Sequence, residues 1–204
     1  MARHTSCTST RQHGGNTATE CKRGAEVEVT ERQYTKESDM LVFSKDGEPI
    51  HIRPLRSSDA DLVEDLFKSL SPQSIFFRFL RYWKSVPQEV IDSFKNLDCD
   101  LNVVVVALDK ISTVERMLWL CAILRRPGSE RGELAVLVRD EWQGIGLGAK
   151  LVEATLPAAR ALGMKQIWGM ISPENTNTIA MASKLGFTLR RDRESDTYEV
   201  EMCF

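Results

Sequence analysis

Histidine is scarce in this chain of 204 residues, and cysteine is thin and odd in number at five. His4, His13 and His51 show no metal-ligand spacing, and Cys7, Cys21, Cys99, Cys121 and Cys203 never form a C-x-x-C pair. Both observations argue against a metal site and against a disulfide framework. No apolar run approaches the ~20 residues a membrane-spanning helix needs, and the N-terminus lacks the apolar core of a signal peptide. The expected location is therefore a reducing cytoplasm, without membrane attachment. Neither sign of charge is in excess: the formal net charge of −2 gives no general pull towards nucleic acid. Arg190, Arg191 and Arg193 form a local basic trio that reads as a solvated strand end.

What the chain does have is enough hydrophobic content, 42%, to fill the core of one domain. Residues 1–40 are rich in Thr, Ser, Glu, Arg and Gly, which bury too little surface to offset ordering entropy, so they read as a flexible polar leader. The folded domain is expected over 41–204. "IHIRPL" alternates like a strand, with His51 on its polar face. A helix follows, with Ser58 and Asp61 spaced as a capping box and Leu62, Leu66, Phe67 and Leu70 on one side. Pro72 and Pro87 each open a further short helix.

The period then changes. "LNVVVVAL", "ERMLWLCAILRR" and "GELAVLVRD" are three strands joined by short turns, which predicts an antiparallel meander. A helix from Gly146 to Gly163 follows, then a strand "KQIWGMIS", a helix "NTNTIAMASKL" and a closing pair, "GFTLRR" and "TYEVEMCF". The order is that of an α+β protein with one βαβ unit in its middle.

That unit carries the informative motif, "QGIGLGAKL", which begins at Gln143. Gly144, Gly146 and Ala149 satisfy the dinucleotide pattern G-x-G-x-x-G/A before a helix. Two features speak against a dinucleotide: five residues, Arg139 to Gln143, separate strand from glycine, and no acidic residue closes the next strand at ~20 residues. A P-loop is excluded because G-K-[ST] is missing. What remains is a loop of backbone N–H groups facing an anion, backed by the positive end of a helix dipole.

These residues resemble the GCN5-related N-acetyltransferases (GNAT), whose phosphate loop reads [Q/R]-x-x-G-x-[G/A]. Gln143, Gly144, Ile145, Gly146, Leu147 and Gly148 fit it, and "PENTNTIAMASKLGF" matches a second family element. The resemblance runs from about Ile50 to the C-terminus. It implies a twisted, mostly antiparallel sheet of about seven strands with helices on both faces, and acetyl-CoA as acyl donor without a metal. Stretches such as "GELAVLVRDEWQGIGLG" look most like bacterial protein-lysine acetyltransferases and the acetyltransferase domains attached to ADP-forming acyl-CoA synthetases. A protein lysine, including one on an acyl-CoA synthetase, is the implied acceptor; a small amine is the alternative, and a catalytically silent acyl-CoA-binding module is the rival.

The resemblance also implies roles. Amine attack on a thioester needs a base, because a lysine ammonium with a pKa of ~10.4 is protonated at neutral pH. Glu133 is the implied base, although by itself it reads rather as an exposed strand-start residue. Val136, Leu137 and Val138 would offer backbone groups to the pantetheine arm. The segment from Gln143 through Gly144, Ile145, Gly146, Leu147 and Gly148 to Ala149 would hold the pyrophosphate. Asn175 would meet the pantetheine or simply cap a helix, and Lys184 would meet a phosphate or remain solvated. Many relatives place a Tyr acid where this chain has Ala182, so the acid for the leaving thiolate is unassigned. In "SPQSIFFRFLRYWKSVPQEV", Phe76, Phe77, Phe79, Tyr82 and Trp83 would line an acceptor groove or pack between helices. Arg78 and Arg81 would steer an acidic acceptor surface or lie in solvent.

Overall fold

Fifteen apolar side chains of the meander are almost completely shielded from water, and they point alternately to two different layers of helix. A computed structural model describes residues 39–44, 47–98, 101–109 and 115–204. Its eight strands are β1 (Met40–Phe43), β2 (Pro49–Pro54), β3 (Val103–Asp109), β4 (Arg116–Arg125), β5 (Arg131–Val138), β6 (Gln166–Ile171), β7 (Thr188–Asp192) and β8 (Thr197–Cys203). They form one sheet in the order β1-β2-β3-β4-β5-β6-β8-β7, antiparallel except for β5 beside β6. The helices are α1 (Ala60–Lys68), α2 (Pro72–Phe79), α3 (Gln88–Lys95), α4 (Leu147–Ala161) and α5 (Thr176–Lys184).

The unbroken apolar run of β3 has a direct explanation. Val103, Val105 and Ala107 join a core with Leu151 and Val152 of α4. Val104, Val106 and Leu108 join a second core with Val63, Leu66 and Phe67 of α1 and Phe94 of α3. A strand covered on both faces needs apolar residues at every position. Each fully buried Val or Leu stabilises the fold by ~1.5–3 kcal/mol relative to exposure. A register shift between Ala107 and Leu108 leaves Leu118 as an extra residue of β4, so Leu118 and Trp119 both face the α4 core.

The sheet has one strand more than the expected seven. β1 is a four-residue edge strand whose Met40, Leu41 and Phe43 stay exposed, so it carries no buried-face alternation by which sequence could reveal it. The expected polar leader lies outside the described residues as far as 38, and its last residue, Met40, opens β1. His4, His13, Cys7, Cys21 and Cys99 also lie outside them.

The capping box expected at Ser58 and Asp61 does not form. Ser57–Asp59 make a 3-10 turn, and Asp59, at the N-cap of α1, turns its carboxylate elsewhere. Arg53 donates to Asp59 through Nη1 at 2.6 Å and Nη2 at 2.9 Å, and the Arg56 N–H donates at 2.8 Å. Burial raises the Asp59 carboxyl's pKa, but these hydrogen bonds and the Arg53 charge outweigh it and hold it below the usual range. The buried Arg53 guanidinium needs an anion, and that demand outranks local capping.

The α4 helix is shorter than the expected Gly146–Gly163, and Gly163, at φ +77°, lies beyond its end. The closing strands do form a hairpin, but β8 inserts between β6 and β7, so the last strand completes the sheet from inside. Arg190 pairs with Glu199 at 2.7 Å and Arg191 with Asp196, so two of the basic trio are ion-paired on an exposed strand, and Arg193 follows in the turn after it.

Candidate active site

β5 and β6 run parallel for three residue pairs and then part. Arg131 pairs with Gln166, Gly132 with Ile167 and Glu133 with Trp168, and no pairing follows. The other edge of β5 stays bonded to β4 along its length. Because the Arg139 N–H donates to Leu118 O at 3.0 Å, alternation turns the backbone groups of Leu137, Ala135 and Glu133 towards β4 as well. Those of Leu134, Val136 and Val138 therefore face the gap. Of the three residues expected to offer backbone to a ligand, Val136 and Val138 are so directed, and Leu137 is not.

The gap widens into a cavity of about 820 Å³. Its lining includes Glu133, Val136, Leu137, Val138, Gln143, Gly144, Gly146, Gly148, Ala149, Asn175 and Lys184. Eleven of the thirteen residues singled out in the sequence thus meet around one space. The exceptions are Ile145, whose side chain packs against the α4 core, and Leu147, which opens α4.

At the mouth of α4, Gly144 and Gly146 have φ of +76° and +83°, a conformation that glycine adopts without strain. A Cβ added at either would meet no protein atom within 4 Å, so both backbones border open space. Gly146 is the N-cap and no side chain caps the helix. The first N–H groups of α4 therefore point outward unsatisfied, with the helix dipole behind them. A diphosphate is the kind of group such a cradle accepts.

Gln143 does not reach into that space with its side chain. Its Nε2 donates to Asp140 Oδ1 at 3.1 Å, to Ser74 Oγ at 2.9 Å and to Val138 O at 3.4 Å. It braces the loop against α2. The carboxylate at the centre of this cluster, Asp140, also accepts the Ser71 N–H at 2.8 Å and the hydroxyls of Ser71 and Ser74. Arg139 anchors the loop from beneath, donating from Nε to Met117 O at 2.7 Å and pairing with Asp65.

On the far side, Asn175 caps α5, its Oδ1 accepting the Thr178 N–H at 3.2 Å. Lys184 is exposed at the rim, and Ala182 is buried on the cavity wall where many relatives have a tyrosine. Glu133 lies on the opposite face of β5 from Val136, the face that Ala135 and Leu137 present to α1–α3. There the cavity meets Phe77, Arg78 and Phe79 of α2. Phe79 and Trp83 also pack against the helix core, whereas Phe76 stacks on the exposed Tyr82 at 4.4 Å, and those two neither line the cavity nor join the core. Arg81 is exposed and does not line the cavity.

Among the described residues no cysteine lines the cavity. Cys121 is wholly buried, and burial pushes its pKa up to about 12 despite the Thr155 hydroxyl. Among the described residues no group of three or more His, Cys, Asp or Glu is placed to hold a metal. No helix among them is long and apolar enough to cross a membrane.

Asp140, Trp142 and Trp168 escaped the sequence reading, although the two tryptophans line the cavity. Trp142 had a legible signal, a large aromatic within the polar loop "RDEWQG". Asp140 had none, since the serines it binds, Ser74 and Ser71, lie 66 and 69 residues away.

The sheet thus opens between two parallel strands beside an uncapped helix with glycines at its mouth, a slot that ends at a row of free N–H groups. The model of the acetyltransferase (GNAT) domain matches residues 50–188, and the chain belongs to that family of N-acetyltransferases. An acetyltransferase of Pseudomonas aeruginosa is 29% identical over 152 residues, spanning 74% of this chain and 82% of that protein. The crystal structure of the GNAT domain of S. lividans PAT superposes with a TM-score of 0.71 at 22% identity, covering 81% of this chain and 97% of that one. Spermidine N-acetyltransferase from Vibrio cholerae, in complex with CoA and spermine, gives 0.59 at 15% identity, covering 76% and 95%.

Proposed function

We propose that the chain transfers an acetyl group from acetyl-CoA to the amine of a protein lysine by direct attack, with Glu133 as general base. The observation that carries this reading is the gap between β5 and β6, which opens at Glu133 and runs to the uncapped mouth of α4. Gly144, Gly146 and the first N–H groups of α4 hold the diphosphate. The pantetheine arm lies along Val136 and Val138, whose backbone groups take the place of the absent β6 pairing. That position brings the thioester, the electrophile that acetyl-CoA supplies, beside Glu133.

Glu133 takes the ammonium proton directly or through one water, which frees the amine's electron pair for the thioester carbon. A backbone N–H of β5 polarises the carbonyl as its oxygen gains charge. With Ala182 in the place of a tyrosine, the departing thiolate takes its proton from solvent. The sequence likeness to protein-lysine acetyltransferases supports a lysine acceptor, including one on an acyl-CoA synthetase. A small free amine is the second reading, favoured by the enclosed aromatic wall of Phe77 and Phe79.

Thiol release from acetyl-CoA, measured with candidate proteins and with polyamines, tests the reading. Glu133→Gln is expected to lower kcat by ~10²–10⁴-fold while acetyl-CoA affinity is nearly kept. Tight acetyl-CoA binding without transfer to any acceptor, and indifference to Glu133→Gln, would instead mark a silent binding module.

A further inference from the structure

Arg78 occupies an unusual position on the acceptor side of the cavity. Its guanidinium carbon lies 4.9 Å from the centroid of Phe79 and 5.8 Å from that of Phe94. Its Nε is buried without a hydrogen-bond partner, and no ion pair to it occurs among the described residues. By contrast, Arg53 and Arg139 are both tied to carboxylates, and Arg125, whose Nε is likewise buried without a partner, donates through Nη1 to Leu162 O at 2.7 Å. Burial pulls the Arg78 pKa down and the nearby Glu133 charge pushes it back up. A guanidinium stays charged in a protein, so the fold holds a cation whose partner is missing. The aromatic faces offset part of that cost, but they leave the buried Nε–H without an acceptor.

Both Arg78 and Glu133 line the cavity. Resting on the amine-transfer reading given above, we infer that Arg78 seats a carboxylate carried by the acceptor, so that the chamber receives an amine and an acid together. The charges balance in that arrangement: the incoming ammonium faces Glu133, and its companion carboxylate faces Arg78. A polyamine, which brings only positive charge, leaves Arg78 unpaired and adds a second cation beside it. The carboxylate has two sources, the acceptor's own carboxyl group in a free amino acid, or an acidic side chain next to the target lysine in a protein.

Equilibrium titration of the CoA-saturated protein tests this without requiring turnover. N-α-acetyl-lysine is compared with its methylamide, which keeps the amine and masks the acid. A lysine peptide with Asp beside the lysine is compared with the same peptide carrying Asn. At least one carboxylate-bearing member should bind about tenfold or more tightly than its neutral twin, the range expected of a charged hydrogen bond. The pair that shows the gap identifies the source. In Arg78→Gln the gap should collapse, and in Arg78→Lys, which keeps the charge and loses the fork, it should narrow. Thermal melting checks that each variant is folded, and Arg78→Lys carries the test if Arg78→Gln is not.

Equal binding within both pairs overturns the inference, as does a gap that survives both substitutions unchanged. The two proposals fail separately. A gap with no acetyl transfer to any of these acceptors removes the transfer reading and leaves the carboxylate seat. Transfer without a gap does the reverse.

Discussion

The Asp140 carboxylate accepts the backbone N–H of Ser71 at 2.8 Å, tying the loop after β5 to the first turn of α2. Through Oδ1 it also holds Gln143 and Ser74, so one side chain connects the proposed diphosphate cradle with the helix that carries Arg78. Asp140→Ala should therefore weaken acetyl-CoA binding and raise the acceptor KM together, a double effect that kinetics with each substrate varied in turn would reveal. Hydrogen bonds to a charged group contribute ~1.5–3 kcal/mol, and denaturant unfolding should register a loss of about that size.

Gly146→Ala isolates the cradle from the fold. The added methyl meets no protein atom within 4 Å, so its structural cost is the positive φ alone, about 1–2 kcal/mol. Acetyl-CoA affinity measured by titration should drop at least tenfold, because the methyl occupies the space proposed for the diphosphate. A variant that melts near the parent and binds the donor equally well would remove the diphosphate from this loop.

The Arg53–Asp59 pair is buried on both sides, at 3% and 4% exposure. Asp59→Ala leaves Arg53 as an uncompensated interior charge, which costs ~3–5 kcal/mol. Chemical denaturation should show that loss. Removing Asp65, the exposed partner of Arg139, should cost much less, because its side chain is 59% exposed and the pair is screened by water.

Acid should act on the same region. Hydrogen bonds from Lys68, then Lys95, lower the Glu64 carboxyl's pKa from 4.5 to about 2, and Asp59 is also held below its ordinary value. A carboxyl depressed on folding stabilises the native state above its unfolded pKa, and that contribution disappears as pH falls through the folded value. The unfolding midpoint should thus decline between about pH 4.5 and pH 2, and Glu64→Gln should flatten part of that decline.

The glycine pattern and the apolar runs were readable because their causes are local. Positive φ before a helix demands Gly144 and Gly146, and burial on both faces demands the valines of β3. The interactions that escaped are set by distant partners. Asp140 looks like any loop acid until Ser71 and Ser74 are brought to it, and Ser58 looks like a cap until Arg53 claims Asp59. β1 carried no pattern because its edge position leaves three of its residues exposed. Arg78 stood between two readings, solvated or functional, and only its burial beside Phe79 separates it from the exposed Arg81.

The insertion of β8 between β6 and β7 has a consequence for biogenesis. Until β8 docks, β6 has only three residues of β5 to pair with, while Tyr198 to Cys203, which flank its other side, are not yet in place. For that interval Ile167 and Ile171 belong to a strand bare along nearly both margins, an open template for illegitimate pairing between neighbouring chains. Truncation ahead of Thr197 should accordingly increase aggregation of this protein and its demand for chaperones.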